Sequence, residues 1–409
     1  MHQKLVVAMI GCGNFAQHFV ELFKKHPYTE KVYVCDLIPE KAQEYAKRFD
    51  VEIIPTFEDA LKKSDVNCIA NFTQRQLHGP IVTAALRAGK HVYSPVPMAN
   101  TVEECKEIID LVKETGLIYM MGETCYYYPC AMYCREAYAQ GKFGDFAYGA
   151  SQYYHNLDVF RYSLNPKERA MPPLMYPTHS TAMILSSVNS YVKKVACFGC
   201  KPSQPDPAFD KNGIWKNEFI NQYVFMELAN GGTARVTEAK GFGWKKPSSY
   251  ISALYGTKGG YEFSNAQHIM VEKLEPWYPP MNGNPGKEDV RLTDVSDYVN
   301  TQEMVDHKND PDFMQQVANG AWQWASTAKV QEKELARLPE SYKDLENGHM
   351  GTHKFLIDDF CKAVYHDEMP VLNAWFAARV NVPGLVAIES SNQGGIPLDV
   401  PDFGDAPMK

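Results

Sequence analysis

The stretch LVVAMIGCGNFA, residues 5–16, decides the fold of the first third of the chain. Its first six residues are apolar without interruption, which is typical of a strand buried on both faces of a sheet. The glycine-rich run Gly11–Phe15 follows directly, and a helix is expected to begin there, with apolar residues at helical spacing on one face at Phe15, Phe19, Leu22 and Phe23. A strand, a glycine-rich turn and a helix in direct succession predict the start of a βαβ unit.

The alternation of strands and helices continues outward from this stretch to about residue 122. The elements expected after the first pair are, in chain order, a strand at 31–35, a helix at 40–49, a strand at 67–72, a helix at 81–88, a strand from His91, a helix from Thr101 and a strand at 117–121. Such alternation requires a parallel sheet with right-handed crossovers. We therefore expect an α/β protein in which residues 1–122 form a Rossmann domain.

The glycine-rich turn has the features of a dinucleotide-binding site. Gly11 permits a tight turn, Gly13 lets the backbone approach a pyrophosphate, and the amides of Asn14 and Phe15 lie at the positive end of the helix dipole. Asp36 ends the second strand, where a carboxylate accepts hydrogen bonds from ribose hydroxyls and would repel a 2′-phosphate. These features predict NAD rather than NADP. The alternative is a purely structural turn, with Asp36 only capping a helix.

The sequence pattern changes at about residue 123. Strand-like segments follow at 146–157, 222–227, 234–238 and 250–255, and they suit a large, mostly antiparallel open sheet with one covered face. We expect residues 123–409 to form a second, α+β domain that binds the substrate. Residues 275–286 are rich in Pro, Gly, Trp and Tyr, and this predicts either a lid or subunit contact, or a solvated insertion.

Composition excludes several classes of partner. The 409 residues include 41 Lys and Arg against 49 Asp and Glu, a formal net charge of -8, which argues against nucleic acid or an anionic membrane as a partner. No export signal and no membrane-spanning run is visible, so we expect a cytoplasmic protein. The ten cysteines are scattered, so we expect reduced thiols and no metal site.

Four motifs together resemble one known family. They are Gly11–Ala16, Asp36, the run TQRQLH at 73–78 and the run AGKHV at 88–92. They resemble the Gfo/Idh/MocA oxidoreductases, which act on sugars, inositols and related polyols. The resemblance implies NAD as cofactor, a sugar or glycoside as substrate, and an open sheet that makes subunit contacts in a homo-oligomer. It also adds Thr73, His78 and Pro97 to the expected cofactor-binding residues.

The chain departs from the family at two motifs. The family usually continues with Glu-Lys-Pro, but here Val96 stands in place of the lysine. The family's Asp-x-Gly-x-His motif is replaced by Met-Tyr-Pro-Thr-His at residues 175–179. These changes resemble the family's NAD-dependent glycosidases of the α-N-acetylgalactosaminidase type, as do the runs ETCYY at 123–127 and YYHNL at 153–157.

The resemblance implies a set of site residues. His179 is the expected catalytic acid–base group, since an imidazole titrates near neutral pH. Tyr176 and Tyr127 are its expected catalytic helpers, and Tyr154 and His155 are expected to bind the substrate. Without the resemblance, His179 is as readily a hydrogen-bonded core histidine, and Tyr127 a packing aromatic.

Three functions are compatible with these residues. The first is an NAD-dependent oxidoreductase that oxidises or reduces a secondary hydroxyl, with the 3-hydroxyl expected, of a sugar or glycoside. The second is a redox-neutral NAD-dependent glycosidase that works by oxidation, elimination, water addition and reduction. The third is a non-catalytic NAD(H)-binding sensor, which the missing lysine at residue 96 keeps open.

Overall fold

The structure is a computed structural model that describes residues 3–155, 170–241, 249–264, 267–274, 290–318, 326–345 and 348–407. The chain divides into two compact units. Unit 1 contains residues 1–124, 333–385 and 401–409, and unit 2 contains residues 125–332 and 386–400. The loop predicted at 275–286 lies outside the described residues.

The fifteen strands found in the described residues form two sheets. They are β1 (Leu5–Ile10), β2 (Thr29–Cys35), β3 (Glu52–Ile53), β4 (Cys68–Asn71), β5 (His91–Pro95), β6 (Tyr119–Gly122), β7 (Phe146–Tyr154), β8 (Val192–Cys200), β9 (Asn221–Leu228), β10 (Thr233–Ala239), β11 (Ser249–Gly256), β12 (Gly259–Ser264), β13 (Gln267–Lys273), β14 (Val290–Asp294) and β15 (Leu398–Asp399).

The α-helices of the described ranges are numbered separately. They are α1 (Gln17–Lys25), α2 (Pro39–Phe49), α3 (Phe57–Lys62), α4 (His78–Arg87), α5 (Val102–Thr115), α6 (Pro129–Ala139), α7 (Thr178–Val188), α8 (Ser296–Val299), α9 (Gln302–Asp306), α10 (Pro311–Ala318), α11 (Glu332–Ala336), α12 (Thr352–His366) and α13 (Ala374–Asn392). None of them is long and apolar enough to cross a bilayer.

Unit 1 is built on a six-stranded sheet in the order β3-β2-β1-β4-β5-β6, and every neighbouring pair is parallel. The predicted parallel sheet and Rossmann fold are therefore confirmed. The strand order reverses between β1 and β4, and ligands of such sheets bind at the carboxyl ends of the strands at this point. The predicted turn Gly11–Phe15 follows β1 at that end.

Local signals account for the helices of unit 1. The side chain of Thr101 accepts a hydrogen bond from the amide of Glu104 and so caps the start of α5. Gly116 ends the same helix in the left-handed conformation, with φ at 68°. Residues 333–385 and 401–409 also belong to unit 1, because α12 packs against α1. The sequence pattern, read as one continuous segment from 123 to 409, gives no sign of this packing.

Unit 2 is built on a nine-stranded sheet in the order β14-β13-β12-β11-β7-β10-β9-β8-β15. All neighbouring pairs are antiparallel except β7 and β10, which run parallel, so the prediction of a mostly antiparallel sheet is confirmed. Helix α7 packs against β7, β10 and β11, and α6 packs against α7. One face of the sheet is thus covered, and the start of α7 lies against the C-terminal part of β7, where Ser151 bonds to Ser180.

Candidate functional site

The glycine-rich turn of unit 1 has the conformation that a pyrophosphate site needs. Gly11 has φ at 100°, and a Cβ at this position would lie 2.5 Å from the carbonyl oxygen of Phe72, so only glycine fits. A Cβ at Gly13 would meet nothing within 4 Å, which leaves open space beside the backbone. Tyr45 donates a hydrogen bond from its phenol to the carbonyl oxygen of Gly13 and fixes the turn.

Asp36 is held beside this turn. Its Oδ2 accepts a hydrogen bond of 2.7 Å from the amide of Cys12, and its Oδ1 accepts one of 2.8 Å from the amide of Ile38. The following side chain, Leu37, is 95 % exposed and carries no charge to attract a 2′-phosphate. A fixed carboxylate at the end of β2 next to an open turn fits the ribose and pyrophosphate of NAD.

Three further residues predicted to bind the cofactor lie in one hydrogen-bonded group. The ring Nδ1 of His78 lies 2.8 Å from the carbonyl oxygen of Pro97, and its Nε2 lies 3.4 Å from that of Thr73. Thr73 also donates from its hydroxyl to Oδ1 of Asn71. Burial lowers the pKa of His78 to about 4, so this imidazole is neutral at physiological pH. A neutral ring has one N–H, which donates to the nearer carbonyl oxygen, that of Pro97. His78 therefore fixes the Pro97 loop and is not a base of the kind needed for catalysis.

Two of the three residues expected to carry the catalysis, His179 and Tyr176, meet in unit 2. His179 is the second residue of α7 and is only 5 % exposed. The phenol oxygen of Tyr176 lies 3.1 Å from its Nε2. The ring of Tyr153 lies 5.2 Å from the His179 ring and 5.8 Å from the Tyr176 ring. A phenol hydrogen-bonded to an imidazole can pass a proton between them, which is the chemistry of an acid–base pair.

The end of β7 brings one of the two predicted substrate residues to this group. The ring of His155 stacks on that of Tyr153, with 5.1 Å between centroids and 13° between planes. Tyr154 projects from the opposite face of the strand, because successive side chains alternate, and its ring lies near that of Tyr250. Sequence reasoning missed Tyr153, although alternation along β7 already pairs it with His155. We call Tyr153, His155, Tyr176 and His179 the imidazole–tyrosine cluster.

Tyr127 lies in a one-turn 3-10 helix, Thr124–Tyr127, and is 5 % exposed. Its ring stands edge-on to that of Tyr126 at 4.9 Å. Its carbonyl oxygen accepts a hydrogen bond from Nε2 of Gln331. These contacts fix the backbone of Tyr127, and its expected catalytic role stays a prediction.

Buried polar residues support the imidazole–tyrosine cluster from the sheet. Ser151 of β7 donates a 2.7 Å hydrogen bond to the carbonyl oxygen of Ser180, and Ser180 donates from its hydroxyl to Oε1 of Glu238 on β10. Lys240 follows β10 and is 6 % exposed, and its ammonium donates to the carbonyl oxygen of Met171. No local pattern singles out Glu238, because a glutamate on a strand is ordinarily solvated.

A comparison with protein families identifies the family that the first part of the chain matches. Residues 5–123 match the profile of the Gfo/Idh/MocA oxidoreductases, described as an oxidoreductase family with an NAD-binding Rossmann fold. The resemblance drawn from the sequence and the expectation of NAD as cofactor are therefore confirmed.

Relatives and solved structures extend the likeness over nearly the whole chain. A glycosyl hydrolase family 109 protein of Streptomyces filamentosus is 24% identical over 97% of this chain and 77% of its own. An alpha-N-acetylgalactosaminidase of Shewanella oneidensis is 26% identical over 66% of this chain and 68% of its own. The solved structure of levoglucosan dehydrogenase in complex with NADH matches this chain with a TM-score of 0.71 and 18% sequence identity. The match covers 98% of this chain and 100% of the dehydrogenase.

Proposed function

Since residues 5–123 are an NAD-binding domain of the Gfo/Idh/MocA oxidoreductase family, we propose that the protein oxidises or reduces a secondary hydroxyl of a sugar or glycoside. The observation that carries this proposal is the hydrogen bond between Tyr176 and His179 at the start of α7. We assign the reacting position to the 3-hydroxyl of the sugar.

The residues of the chain have separate parts in this reaction. NAD⁺ would supply the hydride acceptor when bound, and the fixed Asp36 and the open backbone at Gly13 would hold its ribose and pyrophosphate. His179 takes the hydroxyl proton of the substrate, with Tyr176 as the donor or acceptor that completes the relay. His155, stacked on Tyr153, contacts the sugar.

The relatives favour a second function, redox-neutral hydrolysis of a glycoside. Two of them are named glycosyl hydrolase family 109 protein and alpha-N-acetylgalactosaminidase, and their matches to this chain include residues on both sides of His179. In this reaction, oxidation at the 3-position acidifies the neighbouring C–H. The His179–Tyr176 pair would remove that proton, the glycosidic group would leave by elimination, and water would add to the double bond, with NAD taking up and giving back the hydride so that no net redox change results. The same acid–base pair would serve both functions, and Val96 lacks a titratable group in either.

One incubation separates these functions. The protein is mixed with NAD⁺ in deuterated water and given either free sugars or p-nitrophenyl glycosides, with the N-acetylgalactosaminide as the first probe. Accumulation of NADH supports the oxidoreductase. Release of nitrophenol with deuterium next to the oxidised carbon, and without net NADH, supports the glycosidase. Tight NAD binding with neither product would overturn both proposals and leave a sensor. His179→Ala is the control and should abolish either product.

A further inference from the structure

Two imidazoles at the start of α12 form a direct bond. Nδ1 of His349 lies 2.8 Å from Nε2 of His353, so one ring donates and the other accepts. His353 is fully buried, and this burial, with smaller contributions from His349 and His18, lowers its pKa well below the ordinary value. A neutral, buried His353 can accept or donate only one hydrogen bond at each nitrogen, so its partner at Nε2 defines the orientation of its ring.

The backbone that carries this pair is strained. His349, Met350 and Gly351 have φ values of 47°, 57° and 86°, so three consecutive residues are left-handed and two of them are not glycine. The amide of Thr352 donates to the carbonyl oxygen of Gly348 and closes the turn. Backbone strain of this kind persists only where the surrounding contacts impose it. The bond between the two imidazoles is one such contact.

Both rings of the pair pack on the dinucleotide-binding turn. The ring of Phe15 meets the His349 ring edge-on at 5.7 Å and the His353 ring edge-on at 5.5 Å. Phe15 also packs against Phe19 at 4.9 Å and Phe72 at 6.1 Å. The carbonyl of Phe72 is the group that requires glycine at residue 11. Contacts thus run without a break from the imidazole pair through Phe15 and Phe72 to the turn.

We propose that His349 and His353 are positioning residues for the NAD-binding turn. Their hydrogen bond fixes two rings against Phe15, and Phe15 in turn fixes the amides of Gly11–Phe15 that bind the pyrophosphate. The affinity for the dinucleotide therefore depends on a bond formed more than 330 residues away in the sequence. This inference rests on the cofactor and not on the sugar chemistry, so failure of the proposed function leaves it standing.

A double-mutant cycle tests the bond. His353→Phe and His349→Phe each keep an aromatic ring against Phe15 but cannot form the hydrogen bond. Titration calorimetry with NAD⁺ and with ADP, below the unfolding temperature of each variant, should show about tenfold weaker binding of both ligands for each single variant. The double variant should be no weaker than either single one. His366→Phe, an exposed histidine of the same helix that contacts Tyr28, is the matched control and should bind as the unaltered protein does.

Unaltered affinity in the folded single variants, or additive losses in the double variant, would overturn the proposal. A second measurement needs no variant. Hydrogen–deuterium exchange of the unaltered protein should slow on addition of NAD⁺ at the amides of 349–353 as well as at those of 11–16. Protection of 11–16 alone would show that the imidazole pair is not coupled to the turn, even if the variants fail to fold.

Discussion

The phenol oxygen of Tyr176 lies 3.1 Å from Nε2 of His179. Tyr176 stands two positions before the first residue of α7, and His179 is the second residue of that helix. Tyr176 and His179 are three positions apart in the sequence, with Pro177 and Thr178 between them, so the turn at the start of the helix sets the distance between their side chains. Because His179 is nearly buried, this bond has little competition from water. The pair is therefore preorganised to hold or move a proton at one defined atom.

Removing the phenol should impair the reaction without disturbing the fold. We expect Tyr176→Phe to lower kcat by about 10²–10⁴-fold, as is usual when a positioned acid–base group is lost. The KM for the sugar should change less, because the aromatic ring is retained. Steady-state kinetics with the substrate found in the incubation above provides the measurement.

The matched control is Tyr148→Phe. Tyr148 lies on β7 and stacks with Tyr255 at 6.4 Å, away from the covered end that holds His179. The kcat of the Tyr148→Phe variant should equal that of the unaltered protein. A Tyr176→Phe variant that kept more than half of its kcat would exclude Tyr176 from proton transfer.

Much of unit 1 could be predicted because its signals are local. Gly11, Gly13 and Asp36 specify the turn and the end of β2 from neighbouring residues alone, and strand–helix alternation specifies the parallel sheet. Two short elements, β3 and α3, were missed since each spans too few residues to show a period. The start of α1 at Gln17 also excludes Phe15 from the helix, although its apolar spacing fits.

Unit 2 shows what the sequence could not supply. The parallel pairing of β7 with β10 joins strands separated by two others in the chain, and only tertiary packing determines it. This pairing brings Glu238 under Ser180, a contact that no local pattern encodes. Tyr153 lies beside His179, whereas Tyr154 projects from the other face of β7, so the expected role of Tyr154 in substrate binding stays a prediction.

The contact between Ser180 and Glu238 should stabilise the start of α7. Glu238→Ala leaves the buried Ser180 hydroxyl with only its longer contact, 3.2 Å to the carbonyl oxygen of Pro177, and we expect a loss of about 1–3 kcal/mol in the free energy of unfolding. Glu238→Gln keeps an acceptor oxygen and should lose less. Urea unfolding measures the free energy of unfolding of both variants. The kcat should fall more in Glu238→Ala than in Glu238→Gln, because Ser180 directly follows His179 in the sequence.

Glu227→Gln provides the comparison on the same sheet. Glu227 is exposed on β9 and pairs with the exposed Lys193 at 3.6 Å, so its replacement should change stability by less than about 0.5 kcal/mol. Equal effects of Glu238→Ala and Glu227→Gln would contradict a supporting role for Glu238.

Asp36 should determine the choice between NAD and NADP. Asp36→Asn keeps an acceptor for the Cys12 amide but removes the negative charge. We expect about tenfold weaker binding of NAD⁺, equivalent to about 1.4 kcal/mol, and stronger binding of NADP⁺, whose 2′-phosphate is no longer repelled. Calorimetric titration with both dinucleotides gives the ratio of affinities.

Asp50→Asn removes the same charge at the C-terminal end of α2, where Asp50 has a left-handed backbone that asparagine also adopts. This variant should leave both affinities unchanged. If the Asp36→Asn variant still preferred NAD⁺, a group other than Asp36 would distinguish the 2′-hydroxyl of NAD⁺ from the 2′-phosphate of NADP⁺.

Acid should destabilise unit 1 through a buried ion cluster. Asp358 is fully buried, and its Oδ1 lies 3.3 Å from Nε2 of His26. Its Oδ2 accepts hydrogen bonds from Arg337 and Lys362. The amide of Tyr28 donates to Nδ1 of His26, so Nε2 carries the proton that His26 donates to Asp358.

The pKa shifts of the two groups predict two pH windows. Burial, which outweighs the bond to Asp358, lowers the pKa of His26, so the folded state resists the protonation that the unfolded state accepts. Stability from this group is complete above about pH 6.5 and declines as the pH falls below it. Burial also opposes ionisation of Asp358, but the bonds from His26 and Lys362 and the charge of Arg337 hold its pKa below the ordinary value. Its contribution is present above about pH 3.9 and is lost as the pH falls through the lowered value.

Chemical unfolding at pH 8, 6, 5, 4, 3 and 2 should therefore show stability falling in two steps, the first below about pH 6.5 and the second below about pH 3.9. Asp358→Asn leaves the cations around it without their shared carboxylate, and we expect it to cost about 3–5 kcal/mol at pH 8. The lower step should disappear in this variant, because the group that titrates there is gone. The ion pair between Lys362 and Asp358 contributes little to this loss of stability, because the Lys362 side chain is 37% exposed and solvent screens its charge. The bond from His26 contributes more, because His26 is buried together with Asp358. A variant that unfolded with the same pH profile as the unaltered protein would place the acid sensitivity elsewhere.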